Sequence, residues 1–337
     1  MTAGQRGGNA APGDAVLLIK GKGGFGNRIL AAATGLVLAE LTGRRPVIDW
    51  RDGIFLPPGI NLYPLLFDAP LPCDAKRFDK ATDVVPAIWS GRLGDTAGTL
   101  IDSAFPGRHS SPFVYRALSL DLARPDHPAQ AAVFWSYLPK LARLRKRMSR
   151  HPRFAGRSLD DIVTELLHEH FTPNMRVRRE IAGLFAGRVR PIIGVHIRHT
   201  DLKVPLAPFE RALAALRLRM PEADIFLATD SAQVQAHMLA RFDGVFVIDK
   251  AVADGDAGLH RPDHRDADTA FADPLREAEN ALIDMWGLAR CDWLVHASRS
   301  TFSTLAAAIG GIPRDRQIDI DRHNPLVQAK RWFQAHA

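Results

Sequence analysis

The chain has 337 residues, enough for two domains of ordinary size, and its 46% hydrophobic and 24% charged content excludes a disordered protein. Its 44 Lys and Arg against 37 Asp and Glu leave a net charge of +7, which favours anionic partners without choosing among nucleotide, nucleic acid and acidic membrane surface. Only Cys73 and Cys291 occur, far apart, so neither a disulfide framework nor a thiolate metal site is expected.

Residues 1–13, rich in Gly and Ala, read as a loose tail without the apolar core of a signal peptide, and no run approaches the roughly 20 apolar residues of a membrane span. The expectation is a cytoplasmic protein. Val16 to Ile19 is a short apolar strand, followed by Gly21-Lys-Gly-Gly-Phe-Gly-Asn27 and a helix over Arg28 to Thr42, with Leu30, Ala33, Val37, Leu38 and Leu41 inward. A second strand, Pro46 to Trp50, completes a βαβ unit. A glycine-rich turn before a helix lets backbone N–H groups approach a phosphate or hydroxyl. A Walker loop would need Lys-Ser/Thr after the last glycine; Asn27-Arg28 stand there instead. A dinucleotide fingerprint fits better, with Gly21, Gly23 and Gly26 spaced G-x-G-x-x-G and Asp49 closing the next strand; a tight turn that simply needs glycine fits as well.

Residues 51–136 are broken by Pro57-Pro58 and Pro64 into short apolar runs on long loops, the kind that shape a binding face. Leu138 to Arg153 is expected as a basic amphipathic helix, with Leu141, Leu144 and Met148 on one stripe and Lys140, Arg143, Arg145, Lys146, Arg147 and Arg150 elsewhere. Such a helix is either a solvated surface element or a peripheral contact with an anionic membrane. Helices near Leu159 to His170 and Asn174 to Phe185 close a first domain over 14–188. His168 and His170 lie two apart, on different faces, and are poor metal ligands.

A second domain, 189–322, opens on the strand Ile192 to Ile197, which delivers Arg198, His199, Thr200 and Asp201 to its carboxyl end; Pro205 and Pro208 bar a helix directly after it. Strand and helix then alternate: a helix over Phe209 to Arg219, the strand Asp224 to Ala228 ending in Thr229-Asp230-Ser231, and a helix over Gln233 to Arg241. The strand Val245 to Ile248, a helix over Leu275 to Ala289 bearing Asp284 and the strand Trp293 to Val295 follow. Ala297 to Thr304 then leads into a helix over Leu305 to Ile309. This alternation predicts an α/β fold of doubly wound parallel sheets, two of them facing a cleft, with ligands at the strands' carboxyl ends. Arg198 offers a planar fork of donors suited to phosphate, and Ser300, Thr301 and Ser303 precede a helix whose free N–H groups attract anions.

In this order and spacing the motifs resemble the inverting, GDP-fucose-dependent α1,6-fucosyltransferases of nodulation-factor and N-glycan-core type. His196-Ile-Arg198-His199 is similar to that family's His-x-Arg-Arg/His motif, Ala228-Thr229-Asp230 to its Ala-Thr-Asp motif, and Asp284 in Leu282-Ile-Asp-Met to a helix Asp that contacts guanine. Ser300-Thr301-Phe302-Ser303 is similar to a phosphate-binding loop, and Gly24-Phe-Gly26-Asn27-Arg28 to the start of the nodulation enzymes. The resemblance implies a GT-B fold with two Rossmann-like domains, nucleotide on the second, and a final helix, within 323–337, crossing back to the first. It implies a GDP-sugar donor, an oligosaccharide or glycoconjugate acceptor, and binding by His196, Arg198, Asp230, Asp284, Ser300 to Ser303, Gly26 and Asn27.

A departure touches the base that must take the acceptor proton. The N-glycan-core enzymes carry Lys and then Glu after Thr-Asp, whereas Leu202-Lys203 follow here, so His199, Asp201, Asp49 and Asp52 all stay candidates. Asp263 to Asp268 and Asp319-Ile-Asp321 have the look of metal sites, but with arginine and a helix N-terminus to meet the pyrophosphate, no metal and no cofactor is expected. The rival readings are a dinucleotide-dependent dehydrogenase using the Gly21 to Gly26 turn and a GDP-sugar or glycan-binding module without a base. No basic-and-aromatic module supports nucleic-acid binding.

Overall fold

The computed structural model describes residues 15–68, 71–136, 140–188, 191–199, 204–253 and 273–336. In the first half, β1 (Val16–Lys20), β2 (Arg45–Asp49), β3 (Val84–Val85) and β4 (Ala131–Phe134) form a parallel sheet in the order β2-β1-β4-β3. β1 and β4 are buried at every position and, apart from Lys20 at the end of β1, apolar throughout, the pattern of strands covered on both faces. Helix α1 (Phe25–Thr42) begins three residues before Arg28, because Phe25 is already part of its buried face, and it ends on Gly43 at φ +63, a left-handed cap.

The long loops carry α2 (Tyr63–Leu66), α3 (Ala97–Ala104) and α4 (Pro112–Ala117), and an apolar cluster of Trp89, Leu100, Ile101, Tyr115 and Trp135 fills one side of the sheet. α5 (Leu141–Met148) buries Leu141, Leu144 and Met148 as its stripe predicts, yet stops five residues short of Arg153. Pro152 explains the shortfall: it has no N–H to give and disfavours helical geometry at His151 before it. Leu138 lies outside the described residues. α6 (Leu159–His170) and α7 (Met175–Leu184) follow, each N-capped by a side chain, Ser158 and Asn174.

The second half runs β5 (Ile192–Ile197), α8 (Ala207–Arg219), β6 (Asp224–Thr229), α9 (Ala232–Arg241), β7 (Val245–Phe246), α10 (Pro274–Ala289), β8 (Trp293–His296), α11 (Thr301–Ile309), β9 (Gln317–Asp319) and α12 (Pro325–His336). Its parallel sheet has the order β7-β6-β5-β8-β9, so the winding reverses between β5 and β8 and leaves a crevice beyond their carboxyl ends. α8 starts two residues before Phe209, with Pro208 in its first turn, where a missing N–H costs nothing. α11 starts at Thr301, four residues earlier than Leu305, so Thr301, Phe302 and Ser303 are a helical turn instead of a loop.

Helices join the halves. α1 packs on α11, α6 touches both, α7 packs on α10 and α10 on α11, while α12 lies against α5. Ile29, Leu166, Ile181, Leu282 and Leu305, one from each of the five helices of that first group, belong to a single buried cluster. The two sheets therefore share one apolar interlayer, and the N-termini of α1 and α11 meet where it opens to solvent.

Candidate functional site

The meeting point is tight. An ideal Cβ on Gly26 would stand 2.6 Å from Phe302 N and from Thr301 C, so only glycine lets the two helix starts approach this closely. The contact is pinned by Thr301 Oγ1, which donates to Asn27 Oδ1 at 2.8 Å across 274 residues of chain. Beside it lies a cleft of about 970 Å³, including its open mouth. Gly24 to Asn27 and Phe55 form one wall; His196, Arg198, Asp230, Lys250, Glu277, Asn280, Asp284 and Ser300 to Phe302 line the others. Arg198 and the first turn of α11 thus face the same space, although a hundred residues separate them.

Burial sets the electrostatics. Asp284 is 3% exposed, and burial pushes its carboxyl up while the ion pair from Lys250 Nζ to Oδ2 opposes the shift. Asp284 Oδ1 and Asn280 Oδ1 are buried acceptors with no hydrogen-bond partner among the described residues, and so are Ser300 Oγ and His196 Nδ1. A buried polar atom left unpaired costs about 1–3 kcal/mol, so this cleft is short of a polar ligand. Glu277 is also pushed up by burial, and Asn280 Nδ2 donates to its Oε1 at 3.4 Å. His196 is held neutral: burial first, then Arg198, His296 and Lys250 bring it down to about 3. Its ring stacks on Phe302 with centroids 5.0 Å apart, fixing the α11 turn against β5.

Not every expected residue reaches the cleft. His199 does not line the cleft wall but stands half-buried beside Arg198: its backbone N–H donates to Asp230 Oδ1 at 2.8 Å, and Nδ1 lies 3.1 Å from the Val204 carbonyl, which can only accept, so that nitrogen carries the proton and Nε2 is the one left to accept. Thr200 and Asp201 lie outside the described residues. Ser303 is not part of the cleft lining; it is fully buried, 3.2 Å from His296 Nδ1 and donating to Ser300 O at 3.4 Å, because in a helical turn its side chain points back under the strand. Asp49 accepts from Lys20 Nζ at 2.7 Å and Arg51 Nε at 2.7 Å, and these cations hold its pKa down against burial, the largest influence on it. Asp52 is gripped by Arg28, whose Nη1 and Nη2 donate to it at 3.2 and 2.9 Å.

The same contacts remove support for a dinucleotide site. A Cβ on Gly21 would meet Trp50 Cδ1 at 2.6 Å and Arg28 Nη1 at 2.7 Å, and Arg28 Nη2 closes on Gly23 O at 3.0 Å. The turn is filled by the protein's own side chains, and the acid that would take a ribose hydroxyl is consumed by two cations. Asp319 and Asp321 are likewise occupied: Asp319 Oδ1 accepts from Ser298 N at 2.9 Å, and Asp321 Oδ2 accepts from Arg299 Nε at 2.9 Å. The 263–268 grouping lies outside the described residues, among which there is no cluster of three metal-ligating side chains.

Sequence reasoning missed Lys250, Glu277, Asn280 and Phe55. Glu277, Asn280 and Asp284 are spaced three and four apart, one face of α10, a legible signal once Asp284 is singled out. Lys250 follows a short strand and has no sequence signature.

No family model matches the sequence. Over 351 aligned residues the chain is 24% identical to nodulation protein Z of Bradyrhizobium diazoefficiens, covering 93% of this chain and 84% of that protein. The crystal structure of NodZ alpha-1,6-fucosyltransferase soaked with GDP-fucose superposes at a TM-score of 0.61 and 24% identity, over 92% of this chain and 97% of that one. Selenomethionine NodZ from Bradyrhizobium gives 0.62 and 25%, over 92% and 96%. A variant of Arabidopsis thaliana FUT1 in complex with GDP gives 0.54 at 13% identity, over 90% and 71%, a likeness of fold alone. Related over nearly its whole length to nodulation protein Z, the chain has the GT-B-type fold of these fucosyltransferases, and the resemblance read from its motifs stands.

Proposed function

We propose that the chain is a GDP-fucose-dependent glycosyltransferase that moves L-fucose from GDP-β-L-fucose to a sugar hydroxyl of an oligosaccharide or glycoconjugate acceptor, with inversion. The observation that carries this reading is a single cleft lined by Arg198, Asp284 and the first turn of α11, with buried acceptors and a buried hydroxyl that lack partners among the described residues. Asp284 and Asn280 supply oxygens that suit the N–H groups of guanine. Arg198 and the free N–H groups of α11 meet the diphosphate.

In the reaction the bond between the anomeric carbon and the β-phosphate oxygen breaks, and its electron pair stays on GDP. The acceptor oxygen bonds to the opposite face of that carbon and gives its proton to a base. Negative charge grows on the β-phosphate in the transition state, where a fixed guanidinium is worth most. Of the four base candidates, Asp49 and Asp52 are spent on buried ion pairs, which leaves His199 and Asp201 on the segment after β5. Because arginine and helix N–H groups carry the diphosphate charge, the reaction needs no divalent metal and no cofactor.

The exposed cations Arg145, Lys146 and Arg150 on and just after α5 support peripheral contact with an anionic membrane from the cytoplasmic side. No helix among the described residues is long and apolar enough to cross a membrane.

Thermal shift with a panel of GDP- and UDP-sugars tests the donor, since a ligand bound only by the native state raises its stability. GDP and GDP-fucose are expected to give the largest shifts. Arg198→Ala is expected to fold and to lose two to three powers of ten in turnover, about 3–4 kcal/mol of barrier. Equal shifts from UDP-sugars, or full turnover in that variant, would overturn the reading.

A further inference from the structure

A second cavity lies in the first domain, at the carboxyl end of β4, and the donor site does not use it. It is bounded by Arg116 of α4, Lys140 and Arg143 at the start of α5, Ser119 and Ser136, with Trp135 as part of its wall. Lys140 is only 5% exposed, an uncommon place for a lysine, and it is brought down to about 8 by burial and by the charges of Arg143 and Arg116. Among the described residues Asp121 is the one acid in the lining. Trp135 is fully buried, and its indole Nε1–H has no hydrogen-bond partner among the described residues. Three cations line one cavity to which the described residues contribute a single acid, the charge pattern of an anion site.

The cavity's position ties it to the acceptor side of the cleft. Phe134 pairs with Ile19 in the sheet, so Trp135 and Ser136 run beside Lys20 and Gly21, whose turn carries Gly24 to Asn27 into the donor cleft. One strand spacing and a few residues of chain put the two cavities on the order of 10–15 Å apart on the same edge of the sheet. We propose that this cavity binds an anionic group, a carboxylate or a phosphate, carried by the acceptor glycan. The proposal rests on the glycosyltransferase reading above, which it deepens by making the acceptor an acidic saccharide.

Calorimetric titration of the full-length chain tests it with four probes: a glucuronate-terminated tetrasaccharide, a phosphorylated tetrasaccharide, neutral chitotetraose and inorganic phosphate. At least one acidic saccharide is expected to bind tenfold or more tightly than the neutral one. Arg116→Ala, at an exposed position, and Arg143→Gln are each expected to weaken that binding about tenfold. Lys140→Met tests the buried charge, and the exposed Arg116 site keeps the test alive should that variant not fold. Equal binding of acidic and neutral saccharides, or acidic binding indifferent to Arg116 and Arg143, overturns the proposal. Inorganic phosphate binding as tightly as the phosphorylated saccharide, and lost in Arg116→Ala, overturns the acceptor assignment in favour of a free anion. GDP titrated in the same experiment reports on the donor reading separately, so the two can fail independently.

Discussion

The contact between the N-termini of α1 and α11 can be tested with one methyl group. In Gly26→Ala the new Cβ would lie 2.6 Å from Phe302 N and Thr301 C and 2.7 Å from Thr301 Oγ1, where ordinary contact begins near 3.4 Å. Two backbones, not a flexible side chain, must separate by about 0.8 Å, an overpacking cost of about 1–3 kcal/mol. Displacement also strains or breaks the 2.8 Å bond from Thr301 to Asn27, a further loss of about 1 kcal/mol. Against this, alanine in place of helical glycine gains about 0.5–1 kcal/mol, and less in a first turn. The clash wins, with a net loss of about 1–3 kcal/mol, and for domains of this size each kcal/mol lowers the melting midpoint by about 2–4 °C. Because the displaced turn also lines the donor cleft, GDP affinity is expected to fall about tenfold. Gly24→Ala is the control: Gly24 lines the same cleft, has φ −68 and has nothing within 4 Å of its would-be Cβ. Thermal melts and GDP titration of both variants decide the matter. Were Gly26→Ala to match Gly24→Ala in midpoint and affinity, the inference that this contact sets the cleft would be refuted.

Asp52→Ala strands the buried Arg28 guanidinium and is expected to cost about 3–5 kcal/mol in denaturant unfolding while any folded fraction keeps its turnover. His199→Gln and Asp201→Asn, by contrast, should show a turnover loss in one of the pair without comparable destabilisation; normal stability with lost turnover in Asp52→Ala would return Asp52 as the base. His196 and His296 are lowered by burial to about 3 and about 4, below the ordinary histidine value of 6.5. Their neutral form is the native one, so their contribution is complete above pH 6.5 and is lost as pH falls towards 4 and then 3, the unfolded chain binding more protons. Proton uptake on unfolding at pH 5–5.5 should approach two from this pair, and His296→Gln should lower it by about one; an unchanged uptake in that variant would contradict the assignment. EDTA treatment is expected to leave fucosyl transfer unchanged, and activity lost to EDTA but restored by Mn²⁺ would sink the claim that protein cations alone carry the diphosphate charge.

The alternation of strand and helix, the buried β-branched run at Ile192 to Ile197 and the apolar faces of α6 and α10 were legible in the sequence, because each follows from a local period of two or 3.6 residues or from a continuous buried run. So were Arg198 and Asp230, each just past a strand end, and Asp284 within α10, all three marked by motif. Pro152 also announced the early end of α5 through its missing N–H, a local effect that periodicity alone overlooks. Other features depend on partners distant in the chain. Gly26 reads as a phosphate-loop glycine, but its need is set by Thr301 and Phe302. Asp49 and Asp52 read as free carboxylates at a strand end until packing brings Lys20, Arg51 and Arg28 onto them. Ser303 reads as one hydroxyl of a loop until α11 begins at Thr301 and turns it inward, and Lys250 enters the cleft only because α10 carries Asp284 past it. Local periodicity determined which elements form; the tertiary structure decided which charges are already satisfied and which still await a ligand, because desolvation and pairing depend on neighbours that only folding supplies.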